Sequence, residues 1–278
     1  MIECPTVKKS VVQWHYDLST VFYRLLWGPH IHHGLWSGDE SPSVAQVQLT
    51  ETLADLADVS PSTTMVDVGC GMGGSSIHLA KTRQCQATGV TISPFQRRWA
   101  AASALTQGVR ARTKFLRADA EEVEFPDESF DVVWSIECTE HLFDKPAFFR
   151  KAARWLKPGG RMAICAWLAG EHADTADHQQ QVFDVCEGFF CPSLGSAHDY
   201  MNWMRDSGLQ IEEWHNWTDR VAQTWDICER RVQKSGVRWL AQIIDRDTVM
   251  FLDRFRTLRN AYDSGAMQYG CLIAEKPH

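Results

Sequence analysis

Val66-Asp67-Val68-Gly69-Cys70-Gly71-Met72-Gly73-Gly74 decides how this chain folds. A short apolar strand over 65–68 runs into a glycine-rich loop, and residues 75–81 then read as a helix. Strand, glycine turn and helix open a βαβ unit, and the alternation continues outward. A second strand is expected over 86–90. Pro94 opens a helix that Gly108 stops. Further strands are expected at 113–116, 130–135 and 161–167, with a helix over 145–156 that ends at Pro158-Gly159-Gly160. Upstream, an aromatic-rich helix over 10–28 and another over 43–59 precede the first strand. Downstream, 168–195 shows no clear strand. A helix over 196–207, a sixth strand over 211–217, helix over 218–260 and a seventh strand over 267–274 follow. This pattern requires a parallel sheet covered on both faces. The expected fold class is α/β, a seven-stranded mostly parallel sheet with helices on both faces. The expected division is an N-terminal helical lid over 1–60, a cofactor-binding core over 61–167, and helical cap insertions with the last two strands over 168–278.

Gly69, Gly71 and Gly74 satisfy the GxGxxG spacing of dinucleotide sites, which alone is a weak signal. Two details shift the choice of cofactor. Asp67 stands two residues before the first glycine, and a carboxylate there repels a pyrophosphate but suits a ligand with positive charge. The second strand ends Gly89-Val90-Thr91-Ile92-Ser93-Pro94, with no acid to take the ribose of NAD. S-adenosylmethionine (SAM) carries an ammonium and a sulfonium and no phosphate, so it is favoured. The alternatives are a NAD or FAD site, or a loop that serves only tight strand–helix packing.

With this loop, Phe115-Leu116-Arg117-Ala118-Asp119-Ala120, Phe130-Asp131-Val132-Val133-Trp134-Ser135 and Leu156-Lys157-Pro158-Gly159-Gly160 resemble the successive motifs of class I SAM-dependent methyltransferases. Trp27-Gly28-Pro29-His30-Ile31-His32-His33-Gly34, Trp134-Ser135-Ile136-Glu137-Cys138-Thr139-Glu140-His141 and Asp219-Arg220-Val221-Ala222-Gln223-Thr224-Trp225 extend the likeness over nearly the whole chain. They point to the tocopherol methyltransferase-like group, which includes indole-alkaloid N-methyltransferases. His15-Tyr16-Asp17-Leu18-Ser19 is similar to cyclopropane fatty-acid synthases. The resemblance implies a Rossmann-like core that binds SAM and yields S-adenosylhomocysteine. It also implies methyl transfer to a lipophilic, aromatic or isoprenoid small molecule. One relative in this branch is a cyclase, so cyclisation with or without methylation is the competing reading.

The resemblance also assigns residues. Asp67, Gly69 and Gly71 would approach the methionine and ribose. Thr91, Ile92 and Gln96 would stand where most of the class has a ribose-binding acid. Asp119 and Ala120 would read the adenine, and Ser135, Ile136 and Glu137 would border the methionine end. Methyl transfer from a sulfonium is an in-line displacement, so the protein mainly aligns and dehydrates its partners. A base matters if the acceptor must lose a proton first, and His141, oriented by Glu140 or Glu137, is the candidate. Tyr16, Trp27, His33, Trp167 and Trp225 are candidates for the acceptor pocket.

Composition narrows the remaining choices. The chain has 278 residues, is 44% hydrophobic, and carries a net charge of −7, which argues against non-specific nucleic-acid binding. No apolar run is long enough to span a bilayer, and the N-terminus lacks the layout of a secretory signal. A cytoplasmic protein without integral membrane association, monomer or homo-oligomer, is expected. The nine cysteines contain no CxxC pair, and they read as buried thiols in a reducing compartment. His30, His32 and His33 suggest a metal by alternation, but no carboxylate or cysteine lies nearby in sequence. Pocket lining or loop packing is favoured, and no metal is expected. Twelve tryptophans, several in the cap region, suit a core of bulky side chains and also an apolar pocket for a flat acceptor. Arg230, Arg231, Lys234 and Arg238 read as a solvated helical face.

Overall fold

The computed structural model describes residues 1–9, 28, 30–235 and 254–278. The helix expected over 10–28, with Tyr16 and Trp27, lies outside the described residues, as do Arg238 and Trp239. In chain order the strands are β1 (Ile2–Glu3), β2 (Thr64–Val68), β3 (Gln86–Thr91), β4 (Thr113–Arg117), β5 (Phe130–Ile136), β6 (Leu156–Ala169), β7 (Ser193–Leu194), β8 (Gln210–Asn216) and β9 (Met267–Glu275). The α-helices are α1 (Pro42–Leu56), α2 (Gly74–Thr82), α3 (Pro94–Thr106), α4 (Lys145–Trp155), α5 (Ala176–Phe189), α6 (Ala197–Asp206), α7 (Thr218–Val221), α8 (Gln223–Ser235) and α9 (Phe255–Asp263).

Seven strands form one sheet in the order β4-β3-β2-β5-β6-β9-β8. The first five are mutually parallel, and β9 runs antiparallel to both its neighbours. Chain order reverses between β2 and β5, and that reversal opens a crevice at the carboxyl ends of the strands. Alternate residues divide the core between the two faces. Val132 and Trp134 of β5, with Ala163, Cys165 and Trp167 of β6, pack with Leu49 and Leu53 of α1. Val133, Ile164 and Ala166 pack on the other side with Phe148, Phe149 and Trp155 of α4. Fully burying such a side chain contributes about 1.5–3 kcal/mol, which fixes the strand register that carries the site.

Three local expectations change. Residues 168–195 contain α5, capped by the Thr175 hydroxyl and buried through Val182, Val185, Cys186 and Phe189. Pro158-Gly159-Gly160 is not a gap before β6 but a bulged opening of it. Pairing jumps from Phe130↔Leu156 to Val132↔Arg161, and Gly159 N–H, at φ +73°, donates to Lys276 O. Helix α1 stops at Leu56, because Asp58 takes a left-handed φ of +52°.

Candidate active site

One open cavity lies along the carboxyl ends of β2–β5. At one end it is lined by Thr91, Ile92, Gln96, Asp119 and Ala120, and in the middle by Gly69, Gly71, Ile136 and Glu137. His141, Leu142, Trp167, Phe189 and Trp225 line the other end. The cavity thus joins the glycine loop to an aromatic wall.

The loop glycines have different reasons to be glycine. Both are left-handed, Gly69 at φ +77° and Gly71 at φ +51°. A Cβ on Gly69 would overlap the Cys138 side chain, whereas one on Gly71 would meet no atom within 4 Å. Gly71 therefore borders space that a ligand can fill, as a cofactor's close approach to the backbone requires. At the next strand end, Ser93 caps α3 by accepting from Gln96 N at 3.2 Å, and Pro94 occupies its first turn. The cap sets Gln96 so that its Oε1 accepts from Thr91 Oγ1 at 2.9 Å, both side chains being buried against the cavity. An uncharged hydroxyl–amide pair thus stands where an acid was missing from the sequence.

Asp119 lies at the cavity, but its Oδ2 is in an ion pair with Lys9 at 2.8 Å, and Lys9 also reaches Glu121 at 2.6 Å. Lys9 carries no motif, and this role was not readable from the sequence. Glu137 ends β5 with a left-handed φ of +52°, a conformation that costs a non-glycine residue about 1–3 kcal/mol. The surroundings hold it there. Its Oε1 accepts from His33 N at 2.8 Å, His33 Nδ1 at 2.9 Å and the Tyr269 hydroxyl at 2.8 Å. Burial works to raise this carboxyl, but the field and hydrogen bond of His33 outweigh it and hold it below its ordinary range.

Four expected site residues stand behind the cavity wall and not on it. Asp67 is buried and accepts from Ser76 Oγ at 2.5 Å. Burial raises its carboxyl to about 6. Ser135 donates to Val68 O at 3.1 Å, tying β5 to β2. His33 packs behind the wall, its ring centroid 5.0 Å from that of Trp225 and 5.9 Å from that of Trp167. Glu140 turns from His141 altogether. Its Oε1 accepts from Trp167 N at 2.5 Å, its Oε2 has no partner, and burial raises it to about 8.

His141 does line the cavity, but neither glutamate orients it. Its Nδ1 faces the Phe190 carbonyl at 3.2 Å, and burial pushes the imidazole down to about 4. Beneath this turn the buried Lys145 donates to the carbonyls of Glu140 and Leu142 and to Ser193 Oγ, pinning the segment in place. Phe189, on the helix that sequence reading missed, completes the wall. Its ring lies 5.2 Å from Trp167 and 5.4 Å from Trp225. Among the described residues no group of three or more His, Cys, Asp or Glu is placed to hold a metal. None of their helices is long and apolar enough to cross a membrane.

This sheet order, with its reversed last strand and a glycine loop facing a cavity, defines the class I SAM-dependent methyltransferases. More narrowly, residues 5–269 match the family described as mycolic acid cyclopropane synthetase, and the chain belongs to it. It is 29% identical over 293 residues to a chloroplastic tocopherol O-methyltransferase of Arabidopsis thaliana, covering 98% of this chain and 83% of that one. It is 32% identical over 269 residues to the 27-O-demethylrifamycin SV methyltransferase of Amycolatopsis mediterranei, covering 94% and 95%. A cyclopropane synthase structure from Mycobacterium tuberculosis shares the fold at a TM-score of 0.86 and 18% identity, covering 98% of this chain and 99% of that one.

Proposed function

We propose that this methyltransferase acts on a lipophilic acceptor held between His141, Trp167, Phe189 and Trp225, with the adenosine of SAM at Thr91, Gln96, Asp119 and Ala120. The observation that carries the reading is the single cavity running from Gly71 to the aromatic wall. SAM supplies the methyl group as an electrophilic sulfonium. The ionised Glu137 faces that region from the middle of the cavity, where it suits positive charge. The helical cap expected from the sequence supports this reading, since α5 and α8 bring Phe189 and Trp225 to the acceptor end. The nine cysteines are free thiols, which suits a reducing compartment, and the cytoplasm is the compartment proposed.

The same residues favour one kind of acceptor. A phenol with a pKa of about 10 needs a base of matched strength to become nucleophilic before transfer. His141, at about 4, and Glu137, held below the ordinary carboxylate range, are too weak for that. An electron-rich carbon is nucleophilic without prior loss of a proton, whereas an alkylamine, protonated at neutral pH, must lose one first. The neutral His141 imidazole then suits removal of a proton that the methyl group has made acidic.

S-adenosylhomocysteine release against a chromanol, an indole amine, a prenyl diphosphate and a prenylated indole, with product structures by NMR, tests this. Turnover of a carbon acceptor supports it. Efficient O-methylation of the chromanol at neutral pH refutes the preference, and a rearranged carbon skeleton would add cyclisation to the chemistry.

A further inference from the structure

Helix α3 carries its apolar side chains on the side away from the sheet. Its buried positions are Gln96, Ala100 and Ala104. Phe95, Trp99 and Leu105 are instead 39%, 41% and 59% exposed. A helix stabilised only by its contact with a sheet turns its largest apolar residues inward. Phe95, Arg98, Trp99 and Ala102 follow one another at three- and four-residue spacing, so they share a single outer face. The rings of Phe95 and Trp99 lie 6.1 Å apart on it. Of the six large apolar side chains left exposed among the described residues, three stand on this one helix.

The charge around this stripe is equally one-sided. Between Asp67 and Asp119 the chain has no acidic residue, yet it has eight of its 28 basic ones there. Six of these follow the start of α3: Arg97, Arg98, Arg110, Arg112, Lys114 and Arg117. Among the described residues none of the six is in an ion pair, whereas Lys9, Arg83, Arg161 and Arg259 each meet a carboxylate. Arg98, Arg110, Lys114 and Arg117 are exposed. Strand β4 is the outermost of the sheet, and Ala104 of α3 packs in one cluster with its Phe115. Apolar stripe and unpaired cations therefore lie along one edge of a molecule whose net charge is −7.

We propose that this edge docks on the surface of an anionic lipid bilayer, with Phe95, Trp99 and Leu105 entering the headgroup layer and the cations meeting lipid phosphates. Aromatic and leucine side chains flanked by Lys and Arg are the combination that an interfacial helix needs. A nucleic acid would use the charge but leave Leu105 in water, and a second copy of this chain would set the same cations against each other. The docking depends neither on SAM nor on the identity of the acceptor. Gln96, between Phe95 and Trp99 in sequence, lines the cavity, so the docked helix also borders the site. An apolar acceptor dissolved in the bilayer would then be close at hand.

Co-sedimentation of the full chain with vesicles tests this. Vesicles of phosphatidylcholine mixed with phosphatidylglycerol should take up the protein, vesicles of phosphatidylcholine alone should not, and high salt should release it. Each arginine at the surface is worth about a fivefold factor, so Arg98→Gln with Arg117→Gln should weaken binding about 25-fold. Trp99→Gln should weaken it about tenfold through lost apolar burial. Failure to bind the anionic vesicles, or equal binding to the neutral ones, overturns the proposal. So does binding that survives these changes but is lost on Arg230→Gln, which would put the contact on α8. A dimer in sedimentation velocity that Trp99→Gln dissociates would give the stripe to a second copy. Tighter binding of duplex DNA through the same arginines would give the charge to a nucleic acid. Either result also overturns it.

Discussion

Glu137 and His33 are joined twice, because one carboxylate oxygen takes both the backbone N–H and the ring Nδ1 of the histidine. This double bond of contact, with the Tyr269 hydroxyl on the same oxygen, holds Glu137 in its left-handed conformation. Replacing Glu137 by Ala strands three donors, and should cost about 2–4 kcal/mol in urea unfolding at pH 7. The carboxyl is depressed in the folded state, so its contribution is present above the unfolded value of 4.5 and is lost as the pH falls through the folded one. The gap between wild type and Glu137→Ala should therefore narrow in acid. A gap that stays constant to pH 3 would show that charge contributes nothing to it.

The two loop glycines should fail in different ways. Gly69→Ala drives a Cβ into Cys138, and should lose about 2 kcal/mol or more of stability. Gly71→Ala meets no atom, so its cost is the left-handed strain of about 1 kcal/mol. Its main effect should fall on S-adenosylhomocysteine affinity, and Gly71→Arg should abolish binding in a folded domain. Thermal unfolding and calorimetry on both variants separate the outcomes. A Gly71→Arg protein that binds normally would refute the loop assignment.

Glu140 should make the fold sensitive to alkali. Its carboxyl is raised from 4.5 to about 8, so stability is full below pH 4.5 and is lost as the pH rises toward 8. Glu140→Gln keeps an acceptor for Trp167 N without the ionisable proton. The variant should gain on wild type between pH 5 and pH 8 by a few kcal/mol, on the order implied by the shift. His141 acts from the other side. Its value is lowered from 6.5 to about 4, so stability is lost as the pH falls below 6.5. Urea midpoints across pH 4–9 read both limbs. His141→Ala should cut turnover far more than S-adenosylhomocysteine affinity, and unchanged turnover would retire it from catalysis.

Trp225 should separate acceptor from cofactor. It closes the cavity with Trp167 and Phe189, well away from Thr91 and Gln96 along the strand ends. Trp225→Leu should raise the acceptor KM about tenfold or more through lost apolar contact, with S-adenosylhomocysteine binding within twofold. An equal loss of both would mean that the wall supports the whole cavity and does not select the acceptor.

The start of the sheet was legible because β2 is a short apolar run into a glycine loop and β3 ends just before the capping Ser93. Helix α5 was hidden by composition. Its buried stripe of Val182, Val185, Cys186 and Phe189 keeps helical spacing, but His178, Gln179, Gln180 and Gln181 dilute the signal. Strands β1 and β7 have two residues each and exist only as each other's partners. At the site, local pattern pointed to Gly69, Gly71, Thr91, Gln96 and Asp119, which line the cavity, and also to Asp67 and Ser135, which do not. What could not be read were bonds across long separations. Glu140 meets Trp167 N and not its neighbour His141, and Lys9 meets Asp119 from the far end of the chain. Adjacent residues after β5 face different ways, and only the packed cap shows which faces the cavity.

The pairing of Thr91 with Gln96 has a practical consequence. If the adenosine of SAM sits there as proposed, a hydroxyl and a rotatable amide would give its ribose a softer, uncharged contact than an acid that chelates both hydroxyls. This end of the cavity is the natural place to recode the enzyme for a sugar-modified methyl donor. The catalytic end would be left as it is, giving an orthogonal cofactor pair for labelling its products.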